Sequence, residues 1–269
     1  MRLHVHEWGE PSGAPVICLH GLTGDGGRFR RLARRLEGRR VVAPDLRGHG
    51  VSGREPPWDT ATHAADVLET VAALGIERAD WIGFSFGGRI AAAVAATAPH
   101  AVERLCLLDP ALQLPAEEAL GRALEEFEEV SFASVEEAIQ AELDSGFLFQ
   151  TPREILEEFV PETLERRPDG RLVPNHSRPM AVVAWSEMVR AAPAPARVPT
   201  LLLRAEASWL PVDVGRYRAA LRELLTEEVV PGGHSVLWEA LEPTTAAVSA
   251  FLQSTTRRPP GAPARGPGA

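Results

Sequence analysis

The chain has 269 residues, a formal net charge of −9, 45% hydrophobic residues and no lysine among its basic side chains. That length supports one large α/β domain or two ordinary ones, and the composition is that of a water-soluble globular protein. The acidic balance disfavours a nucleic-acid partner, which would select a basic face, and docking on an anionic membrane.

Residues 1–13 carry charges and no apolar stretch of the kind a signal peptide needs. No apolar run reaches the ~20 residues of a bilayer span, so a cytoplasmic location is expected. The first half alternates short apolar runs with helical patterns. Residues 2–8 read as an amphipathic strand and 15–20 as an apolar strand ending at Gly21. Residues 29–36 have helical spacing and a polar face, and 40–44 form a strand ending at Asp45. A helix is expected over 60–74, closed by Gly75, followed by a strand at 80–84, a small-residue helix at 89–98 and a strand at 104–108. Cys18 and Cys106 sit inside two of these strands and are expected to be buried, reduced thiols.

The pattern then changes. From about Leu114 to Met188 strand signal is sparse, and 117–130, 135–143 and 152–164 look like acidic amphipathic helices. Strand logic resumes at 199–203, with a helix near 214–225, a strand near 227–230 and a helix at 235–252. Strand–helix alternation implies a doubly wound, mostly parallel sheet with the helical block inserted into it. The Pro-, Gly- and Arg-rich residues 254–269 cannot bury apolar surface and are expected to form a disordered tail.

Three segments carry chemistry. Gly83-Phe84-Ser85-Phe86-Gly87-Gly88 lies between a strand and a helix. A serine on so sharp a turn needs neighbours almost free of side chain; the turn lifts its hydroxyl above the sheet and aims the Phe86 N–H at a developing oxyanion. His20-Gly21-Leu22 closes an earlier strand, and the Leu22 N–H is expected to be the second oxyanion donor, with His20 holding the loop. Gly232-Gly233-His234-Ser235 follows the last strand, where a base can reach Ser85. His4 and His6 share one face of a strand, but the sequence suggests no third metal ligand.

With Pro44-Asp45-Leu46-Arg47-Gly48-His49-Gly50-Val51-Ser52, which is similar to the loop after the fourth strand of that fold, these segments resemble the α/β-hydrolase superfamily over residues 2–253. The resemblance implies an α/β-hydrolase core at 1–113 and 197–253 and a helical cap at 114–196. A serine in the elbow sets the chain apart from the dehalogenase and epoxide-hydrolase branches, which carry aspartate there. Members of the superfamily usually place the triad acid after the next-to-last core strand. Here that stretch reads Arg204-Ala205-Glu206-Ala207-Ser208-Trp209, and the aspartate is missing. Asp109 at the end of the preceding strand is preferred as the acid, with Glu206 as its rival and Asp213 further along.

The resulting expectation is a serine hydrolase with Ser85 as nucleophile, His234 as base and Asp109 as acid, acting on an ester, lactone or related carbonyl of a small molecule. A carbon–carbon bond hydrolase of a diketone or dienoate is the alternative, favoured by a cationic pocket around Arg89 and Arg178. A ligand receptor on the same scaffold is a third reading. Arg89 and Trp185 are candidate substrate contacts, though a salt bridge or packing role at the start of its helix is the stronger reading of Arg89. Phe127, Phe132, Phe147, Phe149, Phe159 and Met188 are expected chiefly to form cap core. No metal or cofactor is implied, and the chain is expected to be a monomer or homodimer.

Overall fold

A computed structural model describes residues 1–145 and 151–254. In chain order the elements are β1 (Val5–Gly9), β2 (Ala14–Leu19), α1 (Arg30–Ala33), β3 (Arg39–Pro44), α2 (Thr60–Ala73), β4 (Ala79–Phe84), α3 (Phe86–Thr97) and β5 (Val102–Leu108). There follow α4 (Ala116–Glu125), α5 (Val135–Asp144), α6 (Arg153–Phe159), β6 (Leu164–Arg166), β7 (Leu172–Pro174) and α7 (Arg178–Val189). The chain then forms β8 (Thr200–Ala205), α8 (Val214–Leu221), β9 (Leu225–Val230), α9 (Val236–Glu239) and α10 (Leu241–Gln253).

Seven strands form one sheet in the order β1-β3-β2-β4-β5-β8-β9. Only β1 runs antiparallel to its neighbour; the other pairings are parallel. Every residue of the central β4 is buried. The alternation of side chains along a strand explains the two cores. Ile17, Leu19, Trp81, Leu105, Leu107 and Leu202 point to the face covered by α2, α3 and α8, where Val67, Ile90 and Tyr217 meet them. Val16, Cys18, Ile82, Phe84, Cys106 and Leu201 point to the opposite face, packed by Leu32 of α1 and Val248 of α10. The two cysteines are buried and free, and burial raises both thiols well above their ordinary range.

The described residues of 114–196 contribute no strand to the seven-stranded sheet. They form α4 to α7 and the two-stranded antiparallel pair β6–β7, a hairpin that the sparse strand signal did not anticipate. At three residues per strand it is too short to generate an alternation. The segment expected as one helix over 235–252 is instead α9 and α10, with Ala240 between them. Phe147, Phe149 and residues 255–269, including the expected tail, lie outside the described residues.

The turn from β4 into α3 is packed backbone against backbone. A Cβ on Gly87 would sit 2.1 Å from the Leu19 carbonyl oxygen and 2.5 Å from that of His20. Overpacking against rigid strand ends cannot relax cheaply, so Gly87→Ala is expected to cost at least about 2 kcal/mol in denaturant unfolding. A Cβ on Gly121 of α4, by contrast, would have nothing within 4 Å. Gly121→Ala should therefore stabilise by about 0.5–1 kcal/mol, through the helical preference of alanine alone.

Candidate active site

The parallel strands end on one edge of the sheet, and that edge collects the functional side chains, as ligand sites of open α/β sheets do. Ser85 immediately follows β4 with φ 54° and ψ −121°, a conformation that costs an L-residue about 1–3 kcal/mol. Its N–H donates to the Leu108 carbonyl at 3.1 Å, and its carbonyl accepts from Gly88 and Ala111 at 2.9 and 3.0 Å. These bonds over-determine the turn. The glycines are required by contact: a Cβ on Gly83 would meet the Gly87 oxygen at 2.5 Å, and one on Gly88 would meet Pro110 Cβ at 2.7 Å.

His234 comes from the loop after β9. Its Nε2 lies 2.9 Å from Ser85 Oγ and its Nδ1 lies 2.6 Å from Asp109 Oδ2. A carboxylate at Nδ1 fixes the tautomer, so Nδ1–H donates to Asp109 and Nε2 accepts from the serine hydroxyl. The Phe84 ring stacks on the imidazole at 4.9 Å. The loop itself is tied down from two sides. The Gly233 N–H donates to Glu239 at 2.7 Å, and Thr151 donates to the other oxygen of the same carboxylate at 3.0 Å.

Asp109 ends β5, is 1% exposed and adopts a left-handed φ of 41°. Its Oδ1 accepts from the Ala205 N–H at 3.0 Å, and its Oδ2 accepts from Ser208 Oγ–H at 2.6 Å as well as from His234. Ser208 occupies the stretch where the superfamily resemblance places the acid, and here it donates to the acid instead. Glu206 is exposed, with its backbone N–H bonded to the Val230 carbonyl. Asp213 caps α8 through the Arg216 N–H at 2.9 Å. Of the three candidate acids, only Asp109 touches His234 among the described residues.

Phe86 is the first residue of α3, so its N–H has no partner within the helix and lies at the positive end of the helix dipole. Leu22 follows Gly21, and a Cβ on Gly21 would touch Ser85 Cβ at 3.1 Å. Both residues line the cavity above Ser85. The loop carrying Leu22 is held by two buried imidazoles. His20 Nε2 accepts from the Leu46 N–H at 2.9 Å, so Nδ1–H donates to the Gly21 carbonyl at 2.8 Å. His49 Nε2 accepts from the Thr23 N–H at 3.3 Å. Burial lowers the pKa of both rings, which keeps them neutral and able to accept.

The cavity has a volume of about 240 Å³ and is lined by Ser85, His234, Trp185, Met188, Phe159 and Trp238, among others. Trp185, a candidate substrate contact, thus lines the cavity. Arg89 does not line this cavity. Its guanidinium is buried behind α3, where it donates to Thr60 Oγ1 at 3.1 Å and to the carbonyl oxygens of Leu112, Arg190 and Ala191. The long side chain turns back to satisfy carbonyls between elements, which corrects its assignment as a substrate contact. Arg178 lines a separate cleft, with Nε bonded to the Glu126 carbonyl. Phe127 is 71% exposed and Phe132 is paired through its backbone with Leu172 of the β6–β7 hairpin, and neither lines the cavity. Arg28 and Trp238 do line it and were not singled out from the sequence. Arg28 reads there as one more arginine in a polar helical face.

A third candidate metal ligand beside His4 and His6 does emerge, because the loop after β3 brings in Asp45. Ligand atoms of the three residues lie within 4.8 Å of one another. The Asp45 carboxylate already accepts from His6 Nε2 at 2.9 Å, Gly26 N–H at 2.9 Å and Val51 N–H at 3.0 Å. Burial acts to raise its pKa, but these bonds outweigh it and hold the group at about 2. A pKa below the unfolded value stabilises the fold above about pH 4, and the stabilisation is lost as pH falls through about 2. Asp45→Asn is expected to cost about 2 kcal/mol at pH 7 and to flatten the acid limb of the stability profile, read from urea midpoints between about pH 4 and 2.

The family profile described as alpha/beta hydrolase fold matches residues 14–241. The chain is 32% identical over 192 residues to the lipase LipV of Mycobacterium tuberculosis, covering 70% of this chain and 72% of that protein. It is 36% identical over 130 residues to the 3-hydroxybutyrate-oligomer hydrolase of Cupriavidus necator, covering 46% of this chain and 44% of that protein. The chain therefore spans less than half the length of that second relative. The crystal structure of E-2-(acetamidomethylene)succinate hydrolase superposes with a TM-score of 0.83 at 24% identity, over 94% of this chain and 95% of that one, a likeness of fold. A hydrolase from Novosphingobium aromaticivorans superposes with a TM-score of 0.77 at 24% identity, over 93% of each chain.

Proposed function

Because the chain belongs to the α/β-hydrolase fold family and is an ester-acting hydrolase of that family, we propose that it cleaves a small carboxylic ester or lactone through an acyl-enzyme on Ser85. The observation that carries this reading is the unbroken hydrogen-bond chain Ser85 Oγ–His234–Asp109 beneath a cavity lined by aromatic and charged side chains.

In the first half-reaction, His234 Nε2 takes the hydroxyl proton as Ser85 Oγ attacks the carbonyl carbon. The charge that develops on the carbonyl oxygen rests on the N–H groups of Phe86 and Leu22. Each such donor is worth roughly 10²–10³ in turnover. The imidazolium, stabilised by Asp109, then protonates the leaving alkoxide, and the alcohol departs. In the second half-reaction His234 deprotonates water, which attacks the acyl-serine; collapse releases the carboxylic acid and restores Ser85. Residues 114–196 act as the cap: Phe159, Trp185 and Met188 roof the cavity and exclude bulk water.

Neither Arg89 nor Arg178, the arginines that would have favoured a carbon–carbon bond hydrolase, lines the cavity, although Arg28 does, so the choice of ester over carbon–carbon bond rests on the relatives. A pure receptor has no need of a base hydrogen-bonded to a strained serine. LipV and the 3-hydroxybutyrate-oligomer hydrolase carry names of ester-cleaving proteins, which agrees with the ester reading.

The test is intact-mass analysis after treatment with a fluorophosphonate, alongside turnover of short p-nitrophenyl esters. One adduct per chain, absent in Ser85→Ala, is expected, together with a loss of roughly 10⁴-fold or more in ester turnover for that variant. A folded chain that turns over esters while Ser85 stays unlabelled would contradict the proposal.

A further inference from the structure

The cavity holds a charge that acyl transfer does not use. Arg28 closes the glycine-rich loop after β2 and lines the cavity together with Ser85 and His234. Its guanidinium carbon lies 4.1 Å from the centre of the Trp238 ring and 5.7 Å from that of Phe84. Phe84 is the ring that stacks on His234, so the guanidinium and the base flank one aromatic floor. Burial lowers the pKa of Arg28, but arginine stays protonated in proteins.

Most of the other charged groups around this cavity have partners. Arg122 pairs with Glu118 and Glu125, and Glu126 accepts from His176 Nε2 and lies at the limit of hydrogen bonding to Trp185 Nε1. Among the described residues, Arg28 has no carboxylate within ion-pair distance and no acceptor hydrogen-bonded to its guanidinium. Glu142 lines the same cavity without reaching that distance. Asp25 and Glu142 act on this cation only at a distance, without a hydrogen bond, so a carboxylate brought to the guanidinium edge would supply the direct partner it lacks. The cation–π contact with Trp238 supports the guanidinium, whose donor fork has the geometry to take a carboxylate.

We infer that Arg28 is the anion-binding end of the catalytic cavity, and that the preferred substrate is an ester whose acyl part carries one carboxylate. This rests on the reading of Ser85 as the nucleophile. The acyl part is the portion held through both half-reactions, so it gains most from a fixed anchor. Glu125, Glu126 and Glu142 line the same cavity and disfavour a dianion such as a phosphate monoester.

Binding and turnover together test this. In full-length Ser85→Ala, calorimetry at low salt is expected to show monomethyl glutarate binding about tenfold or more tighter than dimethyl glutarate. In Ser85→Ala with Arg28→Gln the preference should fall to within about twofold, and Arg28→Lys should restore part of it, with thermal melts confirming folded variants. Equal affinities, a preference that survives Arg28→Gln, or no binding of either ester would overturn the inference. Turnover by the unmodified chain separates the two readings. A binding preference without any ester turnover would sink the hydrolase reading and leave the anion site standing. Equal kcat/KM for the p-nitrophenyl esters of valeric and glutaric acid would overturn the role of Arg28 and leave the hydrolase standing.

Discussion

The carboxylate of Asp109 is the point at which three separate strand ends meet. It leaves β5, accepts the Ala205 N–H and the Ser208 hydroxyl from the end of β8 and its loop, and accepts the imidazole N–H from the loop after β9. A carboxylate 1% exposed is tolerable only because these donors replace water. The same arrangement makes it hard to remove: taking away the anion strands three donors, and taking away a donor leaves a buried charge short of partners. The end of β5 also accepts the Ser85 N–H at the Leu108 carbonyl, so the proposed nucleophile is anchored to the residue beside the proposed acid.

On the other side of Ser85, the loop that carries Leu22, the proposed second oxyanion donor, is held by neutral imidazoles and one ionised carboxylate. His20 and His49 are wedged between backbone groups of different loops, and desolvation keeps them uncharged. Asp45 binds Gly26, in the glycine-rich loop that borders the cavity, and Val51, in its own loop after β3. Donor positions set this way need no rearrangement when charge develops on a carbonyl oxygen, which is the physical content of preorganisation. The sheet supplies rigidity, and the loops at its edge supply chemistry.

Much of this was legible in the sequence because the constraints were local. A serine among Gly83, Gly87 and Gly88 can only be a tight, packed turn, and the strands before and after it announce themselves as apolar runs. Asp109 could be preferred over Glu206 because a strand end is a fixed origin whereas Glu206 sits in a loop; in the structure Glu206 is exposed and Ser208 has turned its hydroxyl to Asp109. What was not legible depended on contacts between distant segments. Arg89 has a tempting position beside the elbow, but the carbonyls of Leu112, Arg190 and Ala191 claim its guanidinium, and their convergence has no signature in the chain. Arg28 was hidden by its arginine-rich neighbours, since only the fold shows which of them faces Ser85. Asp45 meets His6 across the β1–β3 pairing, a register that the sequence does not print.

The central claim is that Asp109, and not an acid in the loop after β8, orients His234. Steady-state kinetics of an activated short ester with Asp109→Asn and Glu206→Gln, each checked for an unchanged melting profile, address it directly. An amide at position 109 would offer His234 the wrong hydrogen-bonding partner and trap the wrong tautomer, and kcat is expected to fall by roughly 10³–10⁴-fold, while Glu206→Gln stays within about twofold of the unmodified chain. A silent Asp109→Asn beside a crippled Glu206→Gln would contradict the account.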